Sequence, residues 1–212
     1  MKRVIVICAG FVLAFAPARA GAQVFGQLGG AQTLGMNAHL AGGYVAFSKS
    51  ETALLAQLRM SFYPSVDFGF QGGLSRVRAG GTDRTSVNLG GDFKAQVAKH
   101  SDHSPIDFAL GAAIGVRSAE DFNLLSVGPT AVVSRTYALR GGMELTPYVG
   151  AALMFTRSDL NNGNSTDLSV PLRFGNEWKL NADVRLLTEL QLAVSDEIQD
   201  DVRFTIGANF PF

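Results

Sequence analysis

The sequence is short of cysteine: Cys8 is the only one in 212 residues. It is also poor in lysine and has one tryptophan, and its eighteen basic residues match its eighteen acidic ones. Each shortage excludes something. A lone cysteine rules out a disulfide framework. Without a basic excess, nucleic acid is not an expected partner. Only one apolar run is long, Val4 to Ala16. Nothing after it approaches the ~20 apolar residues that a membrane-spanning helix needs, so any route into a membrane would have to be built from strands.

That one run belongs to the first twenty residues. Lys2 and Arg3 form a positive start, "VIVICAGFVLAFA" follows, and "PARAGA" supplies an A-x-A site. This is the layout of a secretory signal peptide, with cleavage expected after Ala20. The run is short for an anchor, and Cys8 lies too early for lipoprotein processing. Cleavage would remove Cys8, Lys2, Arg3 and Arg19, leaving fifteen basic against eighteen acidic residues, a formal charge of minus three. Residues 21–212 then form one domain by length. Within it, 21–35 ("GAQVFGQLGGAQTLG") reads as a periplasmic segment, the start of the first strand, or an extra strand, and 36–212 as the folded body.

What fills that body is period-two alternation, the mark of strands with two unlike faces. In 182–195, Ala182, Val184, Leu186, Thr188, Leu190, Leu192 and Val194 alternate with Asp183, Arg185, Leu187, Glu189, Gln191 and Ala193. In 167–178, Leu168, Val170, Leu172, Phe174 and Trp178 alternate with Asp167, Ser169, Arg173 and Glu177. Similar patterns occupy 53–63 around Arg59, 86–97 around Asp92 and Lys94, and 106–117 around Asp107. Weaker ones occupy 36–48, 66–77, 124–137 and 145–157, and 202–212 brings the total to ten. No segment carries a 3.6-residue stripe. The connections are short and rich in Gly, Asn, Asp, Ser and Pro, as turns require, so consecutive strands form hairpins in a meander.

The apolar face could point inward, as in a soluble barrel, or outward to lipid. Several features favour lipid. The segments run about 11–14 residues, against 5–6 for most globular strands and about 9–11 for a tilted spanning strand. The polar face mixes Gly and Ala with isolated charges and has little Lys, which suits a narrow lumen. Phe47, Phe62, Tyr63, Tyr137, Phe155, Trp178, Phe210 and Phe212 lie toward segment ends, where interfacial girdles are found. The expectation is an all-β fold: a transmembrane antiparallel up-and-down β-barrel of about ten strands, with eight or twelve left open. Periplasmic turns are expected near 64–66, 99–104, 138–144 and 179–182, and surface loops near 49–52, 78–85, 118–122, 158–165 and 196–201. Pro129 and Pro171 fall inside strands, where proline removes a ladder donor, so a bulge or a shifted boundary is expected there.

The last eight residues, "TIGANFPF", read polar-x-Gly-x-x-aromatic-x-aromatic through Thr205, Gly207, Phe210 and Phe212. This resembles the C-terminal β-signal of bacterial outer-membrane barrels. The whole of 21–212 resembles the small outer-membrane barrel group that includes opacity-type and OmpA-type barrels, with no residue-level match to one member. The resemblance implies a cell outer-membrane location in a Gram-negative envelope, with lipid and the barrel-assembly machinery as partners, and a monomer. Val202, Phe204, Ile206, Ala208, Phe210 and Phe212 would face lipid, and Arg203, Thr205, Gly207 and Asn209 the lumen. Pro211 would be tolerated where the ladder beside the first strand has ended.

The lumen charges are the candidate site: Arg59, Asp92, Lys94, Asp107, Arg173, Glu177, Arg185, Glu189 and Arg203. A turn centred near Asn181 would set Glu177 opposite Arg185 and Arg173 opposite Glu189, two opposed pairs each worth roughly 0.2–1 kcal/mol. These charges read either as a structural network plugging the barrel or as a selective constriction. "HSDHS" at 100–104 offers His, Ser and Asp together, but triads assemble in space rather than in one turn, and a metal needs more ligands. His39 is expected in the lumen near Asn37. "DLNNGNSTD" at 159–167 lacks EF-hand spacing, and Asn162-Gly163 fits hairpin-turn chemistry. No catalytic residue, metal or cofactor is expected. Wide water channels need 16 or more strands, so a largely closed barrel with a structural, adhesive or opacity-like role is the first expectation. A narrow channel for small solutes is second and an outer-membrane barrel enzyme third.

Overall fold

Alternation becomes architecture in the computed structural model, which describes residues 27–79, 82–101, 104–120, 122–160, 163–195 and 202–212. The strands are β1 (His39–Phe47), β2 (Glu51–Tyr63), β3 (Val66–Ala79), β4 (Thr82–Ala98), β5 (Asp107–Ala119) and β6 (Phe122–Ser134). β7 is Glu144–Ala152, continued beyond Leu153 as Met154–Leu160. β8 (Gly163–Lys179), β9 (Arg185–Ser195) and β10 (Val202–Pro211) complete the meander. Each strand pairs antiparallel with its neighbours in sequence, and β10 returns to pair with β1. The result is a closed ten-stranded barrel. The helical content of the described residues is one 3₁₀ turn, Arg140–Gly142.

The two faces sort as the alternation requires. Leu54, Phe70, Leu74 and Leu89 are 54–64% exposed on the outside, whereas Arg59, Asp67, Asp92 and Arg173 are at most 7% exposed within. In water an apolar outer wall of this extent would be unfavourable, but in a bilayer it is the solvated face. Aromatics gather at the rims. Phe47 and Phe204 are register partners at the outer end. Phe62, Tyr63, Tyr137, Phe210 and Phe212 are exposed at the other end.

Strand bounds differ from the sequence expectation where the lipid ends. β4 and β8 each run to 17 residues, longer than their apolar patterns. The first residues of β8, Asn164 to Asp167, are exposed and polar. The backbone ladder therefore continues above the bilayer, where alternation no longer needs apolar side chains. At the periplasmic end, the β2–β3 connection is Pro64–Ser65, with Ser65 at φ 61°.

The in-strand prolines produce no bulge, and the boundary they bring falls not on their own strands but on the strand between them, at Leu153. Register is continuous across the β6–β7 and β7–β8 interfaces, but the ladder lapses at Leu153. Leu153 N donates to Pro129 O at 3.0 Å, and Pro129 has no N–H to return. On the other side Val170 and Pro171 fall between the registered pairs Ser169–Met154 and Leu172–Ala151. The two prolines thus interrupt one strand from both flanks.

Pro211 also differs from expectation. The ladder to β1 does not end there, since Phe212 N donates to His39 O at 3.0 Å. Successive residues address opposite neighbours, so the Pro211 nitrogen points toward β9, which begins only opposite Asn209.

Tyrosines lie over glycines inside the wall. A Cβ on Gly207 would collide with the Tyr44 ring, and one on Gly175 with the Tyr148 ring. Glycine is the residue that leaves room for a neighbouring ring at these two positions.

Candidate functional site

The main departure from the sequence reading is in 21–35. Residues 21–26 lie outside the described residues. Residues 27–35 form no strand and instead run inside the bore, below its middle, as a plug. Ala31 is 0% exposed, and its N–H donates to Ser134 Oγ at 2.9 Å. Leu34 N donates to Asp67 Oδ2 at 3.2 Å and Gln27 N to Asp92 Oδ2 at 3.3 Å. Lys94 Nζ donates to the carbonyls of Gly30 and Gln32 at 2.9 and 2.7 Å. Arg173 Nη1 donates to Gln27 O. The wall therefore holds the segment mainly through its main chain.

The charges that grip the plug also grip one another. Arg59 Nη2 reaches Asp67 at 2.5 Å and Asp92 at 2.7 Å, and Lys94 lies 3.7 Å from Asp67. Alternate inward positions on β2, β3 and β4 bring these four side chains to one level. Asp107 joins through hydrogen bonds rather than an ion pair, accepting from Gln32 Nε2, Gln96 Nε2 and His100 N at 2.8–3.1 Å. Isolated in a dry bore, such carboxylates would be costly, and here their lone pairs are occupied by guanidinium, amide and backbone donors.

Across the bore, Arg185 Nη1 meets Glu177 Oε1 at 3.1 Å and Arg173 Nη1 meets Glu189 Oε2 at 3.7 Å. Both expected pairs form, but diagonally. The register is two residues away from the sequence expectation, with Glu177 opposite Leu187 and Arg173 opposite Gln191. The connection 180–184 is longer than a turn centred on Asn181: Asn181 Oδ1 accepts from Asp183 N and Val184 N, and Leu180 N donates to Val184 O. Glu189 also accepts from Tyr148 Oη at 2.8 Å. Arg203 faces inward, 6% exposed, opposite Gln191.

Sequence reasoning missed Asp67, Glu51 and Arg117. Arg117 Nη2 reaches both Glu51 oxygens at 3.1 Å, and its Nε donates to Asn88 at 3.0 Å, forming a second charged layer nearer the outside. Parity could have found them, because Asp67 shares the inward face of β3 with Gln71 and Arg117 that of β5 with Asp107.

The C-terminal residues divide as expected. Thr205 is buried inward, Gly207 lies beneath Tyr44, and Phe210 and Phe212 are exposed outward. His39 is a correction. Leu40, its neighbour, points inward, and His39 faces out and stacks on Phe212 with ring centroids 5.5 Å apart. In 100–104, Asp102 and His103 lie outside the described residues, and Ser101 and Ser104 close a backbone bridge. The same holds for Asn162 in 159–167, where Asp159 pairs with Arg157 at 3.3 Å.

Between the plug and the opposite wall a cavity of about 390 Å³ remains at the periplasmic mouth, lined by Leu28, Gly29, Glu177, Arg185 and Asn209 among others.

No protein-family model matches the chain, and comparison with curated proteins gives no match. Solved structures do match. The β domain of the Bordetella autotransporter BrkA aligns with a TM-score of 0.52 at 13% identity, over 84% of this chain and 100% of that one. An outer membrane channel from Pseudomonas putida F1 aligns with a TM-score of 0.50 at 11% identity, over 89% and 100%. At such identities the likeness establishes the fold, that of bacterial outer-membrane β-barrels.

Proposed function

We propose that this barrel of the cell outer membrane is a closed, non-enzymatic, monomeric protein with a structural or surface role of the adhesive or opacity-like kind. One observation supports it most: the inward charges are spent on one another and on the plug. Ala31 at 0% and Arg173 at 1% exposure leave no room beside them for a solute. Small barrels generally fill their interior with side chains, and here the chain's own backbone adds to that filling. Recordings in planar bilayers test the reading. The intact protein is expected to be silent, and steady conductance steps would refute closure.

A narrow channel is the second reading, favoured by the cavity at the periplasmic mouth and by the partial exposure of Arg185 and Glu177 beside it. It predicts conductance steps that change on Glu177→Gln or Arg185→Gln. Lipase, deacylase or protease activity lost on His39→Ala or His100→Ala would overturn the non-enzymatic reading. Thr205, Gly207, Phe210 and Phe212 are read as the address for the barrel-assembly machinery.

A further inference from the structure

We infer that the lower bore is a binding site for an extended peptide main chain, occupied at rest by residues 27–34 and able to take a similar segment from the periplasmic side when they leave. The inference rests on the closed-bore reading. Its ground is the chemistry of the contacts. Five carbonyl or N–H groups of the segment meet buried charged side chains of the wall: the carbonyls of Gly30 and Gln32 at Lys94, the N–H of Leu34 at Asp67, and the N–H and carbonyl of Gln27 at Asp92 and Arg173. The Ala31 N–H meets a buried serine.

Such contacts read peptide groups, and side chains add fewer: Gln27 Nε2 donates to Phe93 O, Gln32 Nε2 to Asp107 and Thr136, and Thr33 Oγ1 to Gln96. What they ask of the occupant is small volume, because a Cβ on Gly30 would already lie 3.2 Å from Ser134 Cβ and 3.2 Å from Thr146 Cγ2. "LGGA" satisfies that at 28–31. The segment's hydrogen bonds come from an arc of the wall, Asp67 on β3 round through Lys94, Asp107 and Ser134 to Arg173 on β8, while the cavity lies between it and Arg185 on β9 and Asn209 on β10. A strap bordered by open space toward β9 and β10 has somewhere to go without the wall being rebuilt. The wall groups it would expose are paired donors and acceptors spaced for another extended chain.

The test uses the full chain in planar bilayers. Ala31→Glu places a carboxylate where there is no space and alters no wall residue. It is expected to convert a silent barrel into one with frequent openings. A synthetic peptide of residues 27–35, added from the periplasmic side, should close them again. The same peptide N-methylated at the residues equivalent to Ala31 and Leu34 should not, because those N–H groups are the ones recognised. A second variant, Gly30→Cys with Ser134→Cys, brings two Cβ atoms near disulfide distance. Adding Ala31→Glu to that pair should give openings under reducing conditions and lose them on oxidation. If Ala31→Glu stays silent while a heat-modifiability gel shows it folded, the inference is wrong though closure stands. Equal block by the methylated peptide also overturns it. If the unaltered protein conducts, the closed-bore reading itself fails.

Discussion

Arg59→Met should be among the most damaging single changes in the barrel. Arg59 Nε and Nη2 donate to Asp67 Oδ1 at 3.2 and 2.5 Å, and Nη1 and Nη2 to the two Asp92 oxygens at 3.2 and 2.7 Å. The guanidinium is 5% exposed, and the two carboxylates are 1% and 0% exposed. Methionine keeps most of the volume and removes the charge. Two buried anions would then share Lys94, which is 3.7 Å from Asp67 and already committed to two plug carbonyls. Removing one partner of a buried ion pair typically costs about 3–5 kcal/mol, and the loss comes from the uncompensated charge rather than from the pair itself. That corresponds to roughly a hundred- to several-thousand-fold in the folded-to-unfolded ratio. The double variant Arg59→Met, Asp92→Asn removes the one stranded charge and leaves Asp67 paired with Lys94, while the amide oxygen introduced at position 92 can still accept from Gln27 N–H. It should recover most of the loss. Urea titration of barrels refolded into lipid vesicles, read by the gel shift between folded and boiled protein, measures both. A single variant within about 1 kcal/mol of the parent, or a double no better than the single, would refute the account of the network as charge balance.

Gly175→Ala should cost roughly 1–3 kcal/mol as an overpacked substitution, because the added methyl meets the Tyr148 ring and hydroxyl, and Tyr148→Ala in the same chain should relieve much of the clash in the same titration. Leu58→Arg, on the exposed outer face between the rim levels of Phe47 and Phe62, should cost about 2–4 kcal/mol, whereas the same change in detergent micelles should cost less. Pro129→Val restores an N–H opposite Leu153 and should be neutral or stabilising by about 0.5–1.5 kcal/mol, seen as a higher gel-shift midpoint. Deleting Phe212 should lower the amount of folded barrel recovered from outer membranes while leaving refolding into vesicles in vitro nearly unchanged.

Strand positions and facing were legible because a bilayer enforces alternation over the whole width it covers. Legibility stopped where that constraint stopped. Residues 163–167 lie beyond the lipid, so their strand carries no apolar signature. The β8–β9 register depended on how Asn181 organises the turn, a local choice that the alternating residues do not encode. Arg59, Asp92 and Lys94 were legible as inward charges, but their shared partner Asp67 sits on a weakly alternating strand. The plug was the least legible element. It has no periodicity, since it packs against a bore rather than a layer, and its main-chain contacts leave little trace in side-chain identity. Its one signal was an adjacent glycine pair, Gly29-Gly30, among small residues.

The plug also bears on the order in which the molecule can form. Gln27 meets Arg173 across 146 positions of sequence, and Ala31 meets Ser134 across 103. Contacts so distant along the chain are slow to form, because loop closure precedes any return from them. The segment made earliest in translation is thus among the last to find its partners, waiting until β8 has been laid down. Tyr44 and Asn209, 165 positions apart at the seam, join equally late. Sealing the wall and filling the bore are therefore both terminal events in assembly. A barrel stalled before β8 would still have an unseated N-terminal strap, a distinct handle by which an unfinished barrel differs from a finished one.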